Sequence, residues 1–455
     1  MMEQGFQAFR GKRVLLLQGP VGPFFASLAL DLRGAGAQVF KVNFNGGDWW
    51  YSPPDAFART FNYRGGMDAW PAYFLRLAQR LGIDIVMLLG DCRPIHEPIL
   101  AICDQIGVER AVFEEGYLRP DHITVERGGV NSHSSMPRDP GAFRAYRDMV
   151  APPMQALGST FGAAARLAMG YYFMGSLLKP WFWSYRHHRP LGILDGLHWI
   201  RSYLRKHRYA RRDAGVAQAL CEQHDKKFFV VALQLSADAQ VVVHSDYERI
   251  EDFIVQVAES FARHAEPDQV LVFKHHPLDR GYSDYSAIIT ALSHRLGIVD
   301  RCLYVHDPHL PTLLGHALGV VTINSTVGMS ALELGCSVKS CGRAIYDIQG
   351  LTFQGDLDDF WKYAHVSRPE RDLVKAFRNY LLTHNQHNGS FYRKIPRQPL
   401  RSGVIWHKPT QEWLDSISQQ TLQQHREDGL GSRRSVDRLQ SAALDDDEDI
   451  PRHGR

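Results

Sequence analysis

Short apolar runs alternate with amphipathic stretches along the first third of the chain. The runs that predict buried strands are 13–18, 38–44, 83–89 and 110–113. The stretches between them that have helical spacing are 24–34, 73–81 and 95–106. Continuous apolar runs are typical of parallel strands covered on both faces, and their alternation with helices predicts a doubly wound α/β sheet.

The same alternation returns in the second half of the chain. The strands predicted there are 228–233, 270–274, 303–305 and 319–323. Two such units predict a GT-B-like α/β fold, in which two Rossmann-like domains face each other across a cleft, with an aromatic and basic helical insertion. The predicted division is an N-terminal domain at 1–160, the insertion at 161–214, a C-terminal domain at 215–365, a helical region at 366–425 and a disordered tail at 426–455.

Charge and cysteine usage exclude several classes of protein. The 52 basic and 49 acidic side chains give a net charge of +3, which does not predict nucleic-acid binding. The six cysteines are scattered without a C-x-x-C pair, so we expect reduced thiols and no metal site. Lys12 and Arg13 precede an apolar stretch, but Gln18-Gly19-Pro20 would break a signal-peptide helix. No apolar run reaches about 20 residues, so we expect a cytoplasmic protein without a membrane span.

The insertion combines aromatic and basic residues. Leu167–Trp183 is rich in Tyr, Phe and Trp, and Arg186–Arg212 carries eight Lys or Arg against one Asp. Aromatic rings beside a basic run suit the headgroup region of an anionic bilayer, which favours docking on a membrane surface. The alternative is a helix pair buried between the domains, with a solvated basic face.

Three polar clusters follow predicted strands, where ligands of open α/β sheets bind. Glu114-Glu115-Gly116 could supply a base or a nucleophile, because adjacent acids repel and one pKa can rise, or it could be a solvated turn. Lys274-His275-His276-Pro277 suits a nucleotide phosphate or is a surface loop. Asn324-Ser325-Thr326 precedes a predicted helix, where backbone N–H groups either bind phosphate or are simply capped.

Weaker candidates lie beside these clusters. Gln18-Gly19-Pro20 turns between the first strand and helix, and it either contacts an acceptor or serves strand–helix packing. Gln234 follows a strand and could bond a donor, and Asp238 with His244 could line the cleft, or all three belong to an ordinary polar loop. His122 and His133 follow the acidic cluster closely and are candidates for a catalytic role.

The order of the three clusters resembles that in bacterial sialyltransferases, which use CMP-activated acidic sugars. Over residues 12–365 the chain is similar to the capsule-synthesis family of bacterial β-Kdo transferases, where Kdo is 3-deoxy-manno-octulosonic acid. Within it the KpsS-type group, which places the first Kdo on a lyso-phospholipid, is the nearest. The motifs that carry this resemblance are Gln18-Gly19-Pro20 with Phe24-Phe25, Asn43 to Asp48, Glu114 to Pro120, Gln234 with Asp238, Lys274 to Pro277 and Asn324 to Leu332.

The sequence departs from the family pattern at two positions. Related transferases have Glu-Asp-Gly where this chain has Glu114-Glu115-Gly116, so the second carboxylate is one methylene longer. Relatives often have Glu at the position of Ser330, and here Glu333 lies three residues later on the same predicted helix. Either Ser330 or Glu333 could therefore meet the ribose of the donor.

The resemblance implies a retaining transfer of Kdo from CMP-Kdo, a substrate and not a cofactor, to a lipid acceptor such as lyso-phosphatidylglycerol. The implied catalytic residues are Glu115, Glu114 and His276. The implied donor residues are Gln234, Asp238, Lys274, His276, Pro277, Ser325, Thr326, Gly328, Ser330 and Glu333. The implied acceptor residues are Gln18, Gly19, Pro20, Asn45 and Arg119.

The same resemblance implies a location and partners. The protein would lie peripherally on the inner face of the cytoplasmic membrane and meet other capsule biosynthesis or export proteins. Neither a metal nor nucleic acid is expected. The alternatives are a transferase that uses another activated sugar and a non-catalytic component of capsule export or assembly.

Overall fold

The computed structural model describes residues 9–185, 195–235, 241 and 243–406. The strands are β1 Arg13–Leu16, β2 Gln38–Asn43, β3 Arg59–Asn62, β4 Ile85–Leu89, β5 Glu109–Glu115, β6 His122–Arg127, β7 Phe228–Ala232, β8 Val270–Lys274, β9 Cys302–Val305, β10 Gly319–Thr322, β11 Ser337–Ser340 and β12 Gln386–Asn388.

The helices of the N-terminal half and the insertion are α1 Phe24–Gly34, α2 Gly46–Trp50, α3 Trp70–Leu81, α4 Glu97–Gln105, α5 Gly141–Arg144, α6 Phe161–Leu177 and α7 Asp195–Arg212. The helices that follow are α8 Val216–Gln223, α9 Ile250–His264, α10 Ser286–Arg295, α11 Leu310–His316, α12 Val327–Glu333, α13 Leu357–Tyr363 and α14 Arg371–His384. Short 3-10 helices lie at Pro54–Ala56, Asn131–His133 and Val299–Arg301.

The strands form two sheets, which confirms the predicted α/β class with two parallel-stranded units. The N-terminal sheet has the order β12-β6-β5-β4-β1-β2-β3, and the C-terminal sheet has the order β11-β10-β7-β8-β9. All pairings of the C-terminal sheet are parallel. The N-terminal sheet is parallel from β3 to β5, but β6 runs antiparallel to β5 and β12 antiparallel to β6. One edge of this sheet therefore departs from the purely parallel arrangement.

Both sheets are buried on both faces, which explains their continuous apolar strands. Val14 and Leu16 pack in one core cluster, whereas Leu15 packs in another on the opposite face. In the C-terminal sheet Val230 and Phe229 divide in the same way between two clusters. Each such side chain contributes about 1.5–3 kcal/mol by burial, so the apolar pattern along the chain dictates the layers.

The C-terminal segment differs from its predicted helical character. The region 366–425 begins with helix α14, but the chain then pairs β12 with β6 and covers the N-terminal sheet. Gln386 accepts a hydrogen bond from the backbone N–H of Tyr117 at 2.8 Å, and Phe391 packs on Phe24 with ring centroids 4.9 Å apart. The C-terminal segment thus supplies backbone partners for the otherwise unpaired edge of β6. Residues 407–425 and the predicted disordered tail lie outside the described residues.

The aromatic and basic insertion is divided between the two sheets. Helix α6 packs on α2 of the N-terminal half, where a Cβ on Gly46 would overlap the backbone of α6 at Met174. Helix α7 packs on the C-terminal half, where Tyr209 stacks on His306 with ring centroids 3.7 Å apart. Within the described residues, none of the helices combines the length and apolar character needed to cross a bilayer.

Candidate functional site

The carboxyl ends of the two sheets meet, as the predicted cleft between two domains requires. Cys92 follows β4 of the N-terminal sheet, and its sulfur lies 3.4 Å from Nε2 of His244, which precedes α9 of the C-terminal half. His244 is linked to the end of β10, because its carbonyl accepts a hydrogen bond from the side chain of Asn324 at 3.2 Å. A ligand at this junction would contact strand ends of both sheets.

The acid pair, Glu114 and Glu115, occupies the last two positions of β5 and does not form a turn. Successive side chains of a strand point to opposite faces of the sheet. This alternation directs the two carboxylates to opposite faces, whereas the sequence suggested an adjacent acidic pair in a turn. Gly116 follows them where the chain turns into β6, and a Cβ there would overlap the carbonyl of His122.

Glu115 is half-buried and held from the C-terminal segment. One of its carboxylate oxygens accepts a hydrogen bond from the hydroxyl of Tyr392 at 2.8 Å. Burial and the neighbouring Glu115 carboxylate raise the pKa of Tyr392, so this hydroxyl stays a neutral donor. Among the described residues, the second carboxylate oxygen of Glu115 has no hydrogen-bond donor. It is therefore available to a reacting group.

Glu114 lies beside the loop that follows β4. Its carboxylate accepts a hydrogen bond from the backbone N–H of Glu115 at 2.9 Å and lies 3.6 Å from the Cβ position of Gly90. Arg93 follows on the same loop and donates to the side-chain oxygen of Gln18 at 3.0 Å. Two neighbouring strand ends thus place a carboxylate and a guanidinium side by side.

Two predicted acceptor residues, Gln18 and Asn45, are only 1% exposed each. They belong to a tyrosine network of Gln18, Asn45, Asp48, Tyr171 and Tyr185. The Gln18 amide donates to Tyr185 at 2.8 Å, and the Asn45 amide donates to the Tyr171 hydroxyl at 2.7 Å. The Tyr171 hydroxyl in turn donates to Asp48 at 2.9 Å. These side chains fasten α6 to the N-terminal sheet, and their polar atoms are occupied by protein.

The other predicted acceptor residues do not form one site with these two. A Cβ on Gly19 would lie 2.5 Å from the ring of Phe25, so this glycine serves strand–helix packing, and Pro20 beside it is buried. Arg119 is exposed and donates to the carbonyl of Gly116 at 3.2 Å. The structure therefore does not bring the predicted acceptor set together at one place.

Gln234 connects two strand ends of the C-terminal sheet. Its amide donates to the side chain of Asn324 at 2.8 Å and accepts from the backbone N–H of the same residue at 3.1 Å. Both groups of the Gln234 side chain are thus used to position the Asn324 loop. Asp238, the other residue predicted with it, lies outside the described residues.

The motif after β8 is divided into a buried half and an accessible half. Lys274 is 8% exposed and donates to the carbonyl of His306 at 2.7 Å, and burial lowers its pKa to about 8. His275 is buried against Tyr304, and burial lowers its pKa to about 4. Lys274 therefore fastens β8 to the loop after β9 and does not present its ammonium group to a phosphate. His276 is half-buried and Pro277 is exposed.

The motif after β10 forms the start of α12. Ser325 accepts a hydrogen bond from the backbone N–H of Val327 at 3.2 Å, and Thr326 directly precedes the helix. Both side chains are partly exposed. Gly328 is required for packing, because a Cβ there would overlap the hydroxyl of Tyr346. Tyr346 in turn donates to the carbonyl of Ser325 at 2.5 Å.

Ser330 and Glu333 line a separate depression between α12 and the loop after β5. Arg119 of the predicted acceptor set lines the same depression. Glu333 pairs with Arg378 at 3.1 Å, and both side chains are partly exposed. The depression thus joins one predicted acceptor residue to two predicted donor residues.

Several residues of the junction were not found from the sequence. Asp91 and Cys92 follow β4 after Gly90, so the strand-end rule would have found them had it been applied to that strand. His133 and His122 were weak candidates; His133 contacts Asp91, whereas His122 is buried against the carbonyl of Leu118. Tyr392 had no local signal, because tertiary structure alone brings it to Glu115.

Two solved structures are similar to this chain over most of its length. Anabaena Alr3699/HepE in complex with UDP-glucose is 13% identical, covers 82% of this chain and 94% of its own, and has a TM-score of 0.31. CalG4, the calicheamicin glycosyltransferase, is 12% identical, covers 90% of this chain and 98% of its own, and has a TM-score of 0.30. Likeness of this size adds nothing to a functional assignment.

The sequence relatives are much nearer. The capsule polysaccharide export protein KpsS of Escherichia coli is 40% identical over 383 residues, which are 84% of this chain and 97% of KpsS. The capsule polysaccharide modification protein LipB of Neisseria meningitidis serogroup B is 38% identical over 392 residues, which are 84% of this chain and 92% of LipB. The family model described as capsule polysaccharide biosynthesis protein matches residues 84–392. The chain belongs to this capsule polysaccharide biosynthesis family.

Proposed function

We propose that this protein is a glycosyltransferase of capsule polysaccharide biosynthesis that transfers Kdo from CMP-Kdo to a lipid acceptor such as lyso-phosphatidylglycerol. The donor is bound at the carboxyl ends of the C-terminal strands, and the acceptor approaches from the N-terminal sheet. Membership of the family and the resemblance of the three strand-end motifs to CMP-sugar enzymes support this assignment.

The geometry of Glu115 carries the proposal. Its carboxylate is half-buried at the carboxyl end of β5, and Tyr392 holds one oxygen, while the other meets no hydrogen-bond donor in the part of the chain that the structure describes. A carboxylate fixed in this way is suited to attack a sugar carbon or to accept a proton from an acceptor hydroxyl. Retention of configuration follows if Glu115 first attacks the anomeric carbon and expels CMP, and the acceptor hydroxyl then displaces Glu115, whose released carboxylate takes the hydroxyl proton.

The leaving CMP carries negative charge that the C-terminal domain must offset. Ser325, Thr326 and His276 of the two donor motifs are partly exposed, and Nδ1 of His276 accepts a hydrogen bond from the backbone N–H of Leu278 at 3.2 Å. Hydrogen-bond donors placed where negative charge develops can stabilise a leaving group without a metal. Lys274 has no place among these contacts, because its ammonium is bound to backbone carbonyls.

A lipid acceptor requires the protein to reach a membrane surface, which we place at the inner face of the cytoplasmic membrane. Helix α6 and the segment after it expose an unusual set of large apolar side chains, namely Phe161, Met169, Phe173, Leu177, Trp181 and Trp183. Exposed apolar patches of this kind are typical of interaction sites. Helix α7 adds exposed basic groups at Arg201, Lys206 and Arg208, which favour anionic headgroups.

Transfer is tested by incubating the protein with CMP-Kdo and lyso-phosphatidylglycerol and measuring the release of CMP. Glu115→Gln should lower the turnover by about 10²–10⁴-fold, the range for loss of a general acid or base, while CMP still binds. Glu109→Gln, at the opposite end of the same strand, is the matched control and should keep near-normal turnover.

Three outcomes would contradict the proposal. Near-normal turnover of the Glu115→Gln variant would show that this carboxylate takes no part in the reaction. Release of a different nucleotide from a different activated sugar would show that CMP-Kdo is not the donor. Absence of any CMP release by the wild type, together with intact binding of capsule export proteins, identifies a non-catalytic component of the export machinery.

Membrane docking is tested by sedimentation with vesicles that contain phosphatidylglycerol. The double variant Phe173→Ser and Leu177→Ser should lose most of the vesicle-bound fraction and keep its activity on a short-chain, water-soluble acceptor. Val366→Ser, an equally exposed apolar residue outside the insertion, should bind vesicles like the wild type. Equal binding by all three proteins would refute docking through α6.

A further inference from the structure

Three metal-ligating side chains from distant parts of the chain meet where the two sheets face each other. Candidate ligand atoms of Cys92, His133 and His244 all lie within 4.8 Å of one another. The sulfur of Cys92 is 3.9 Å from Nδ1 of His133 and 3.4 Å from Nε2 of His244. Cys92 and His133 come from the N-terminal half and His244 from the C-terminal half.

Asp91 lies beside these three side chains and contacts two of them. Its Oδ2 atom lies 3.1 Å from Nδ1 of His133, and its Oδ1 atom lies 3.3 Å from the sulfur of Cys92. The Asp91 carboxylate is 2% exposed and is fixed by the backbone N–H of Val130 at 3.1 Å. The cluster itself is one thiol and two imidazoles, and Asp91 positions Cys92 and His133 within it.

The surrounding protein orients the ligand atoms. Nδ1 of His244 is hydrogen-bonded to the hydroxyl of Ser132, which leaves Nε2 directed toward Cys92. The backbone carbonyl of His244 accepts from the side chain of Asn324 at 3.2 Å and from the N–H of Arg343 at 2.9 Å. Partners that fix the second ring nitrogen of a histidine are characteristic of metal sites, because they set its tautomer and orientation.

We infer that Cys92, His133 and His244 form a binding site for a zinc-type divalent cation that bridges the two sheets. Zinc binds thiolate and imidazole ligands, with Zn–S near about 2.3 Å and Zn–N near about 2.0–2.1 Å, and sites with three protein ligands keep a fourth position for water. Tetrahedral geometry with those lengths separates a sulfur and a nitrogen ligand by about 3.6 Å. The two separations from the Cys92 sulfur, 3.4 and 3.9 Å, lie around this value, so small side-chain movements suffice.

The donor set selects the class of metal. Thiolate and imidazole ligands suit zinc and related borderline ions, whereas magnesium and calcium prefer oxygen ligands. Binding converts the Cys92 thiol into a thiolate and releases its proton to solvent. Because the ligands come from both halves of the chain, a bound ion would fix the spacing of the two sheets.

The long separations along the chain explain why the sequence did not predict this site. Metal motifs are recognised from closely spaced ligands, but here position 92 is followed by positions 133 and 244. The fold alone brings these residues together. With 22 histidines in the chain, weak binding elsewhere must be separated from this site by variants.

The experiment titrates chelator-treated full-length protein with Zn²⁺ against a chromophoric chelator, and with Co²⁺ as a spectroscopic probe. We expect one tight site per chain and a thiolate-to-cobalt charge-transfer band. Cys92→Ser should abolish the band and weaken Zn²⁺ binding at least about tenfold. Cys221→Ser, a partly exposed cysteine of α8, is the matched control and should change neither.

His133→Ala keeps the test decisive if the Cys92 variant fails to fold, since the side chain of His133 is about half exposed, at 48%. It should retain the fold and weaken Zn²⁺ binding at least about tenfold. Zn²⁺ should also raise the unfolding temperature of the wild type and not that of His133→Ala. Binding that the Cys92 and His133 variants leave unchanged, or a cobalt spectrum without a thiolate band, would overturn the inference.

Discussion

The tyrosine network and the acid pair both lie at the carboxyl ends of strands in the N-terminal sheet, but they differ in how far the protein occupies their polar atoms. In the network, Gln18 and Asn45 are buried and bonded to Tyr171 and Tyr185 of the insertion. In the acid pair, Glu115 has one oxygen bonded and one open among the described residues. Position at a strand end is shared by both, so exposure and satisfaction of hydrogen bonds distinguish scaffold from site.

The same distinction divides the motif after β8. Lys274 is bonded to backbone carbonyls and belongs with the tyrosine network as scaffold, whereas His276 is partly exposed. A polar residue at a strand end therefore identifies a region where ligands bind, but not the atoms that bind them. The following variants test this division.

The largest expected effect is on the packing that the tyrosine network supports. Gly46→Ala places a methyl group against the backbone of α6 and should cost about 3 kcal/mol or more in the free energy of unfolding, because neither backbone can yield easily. Gly162→Ala, within α6 and with open space around it, should be neutral or slightly stabilising. Denaturant unfolding measures both. Equal stability of the two variants would show that α6 does not pack closely on α2.

The next effect depends on pH and concerns Lys274. Between about pH 8 and 10.5 the folded protein loses the Lys274 proton while the unfolded chain keeps it, so the stability of the wild type rises with pH. The rise should amount to about 3 kcal/mol relative to Lys274→Met, which lacks the titrating group. Denaturant unfolding at pH 8 and 10.5 checks this, with Lys227→Met at the exposed start of β7 as the control.

The same Lys274→Met variant shows whether Lys274 supports the fold or contacts the phosphate of CMP. If Lys274 only supports the fold, Lys274→Met should change the affinity for CMP less than about threefold. Loss of a direct charged hydrogen bond would cost about 1.5–3 kcal/mol, which is tenfold or more in affinity. A loss of that size, measured by calorimetry, would place Lys274 in the binding site after all.

A smaller effect is expected from one hydroxyl of the tyrosine network. Tyr171→Phe removes a donor to Asp48 and an acceptor for Asn45, and it should cost about 1–3 kcal/mol of stability because buried groups lose their partners. The exposed Tyr203→Phe should be neutral. Thermal unfolding of both variants checks the prediction, and a neutral Tyr171→Phe would show that water replaces the lost contacts.

Much of the fold follows from the apolar pattern. Helix α1 has the predicted bounds, and the buried strands β1, β2 and β4 end within two residues of the predicted ends. These elements have strong local signals because both faces of each sheet are covered. The edge strands β3 and β12 were not predicted, since their polar residues carry no strand periodicity and their pairing depends on tertiary contacts.

The site was predicted only in outline. Strand-end position selected Glu115, His276 and Ser325 as candidates, and the structure places them at strand ends with partly exposed side chains. It could not show that Gln18 and Lys274 are bonded internally. Tyr392 reaches Glu115 from a position 277 residues later in the chain. The chain pattern contains no information about such contacts, because they arise from the return of the C-terminal segment to the first sheet.

We propose that the donor binds at the accessible strand ends and not at the tyrosine network. A crystal structure of the protein with bound CMP distinguishes the two places. We expect phosphate contacts to Ser325, Thr326 and His276, with the Gln18 and Asn45 hydrogen bonds unchanged. A phosphate bound at Gln18 and Asn45, with the tyrosine network opened, would contradict it.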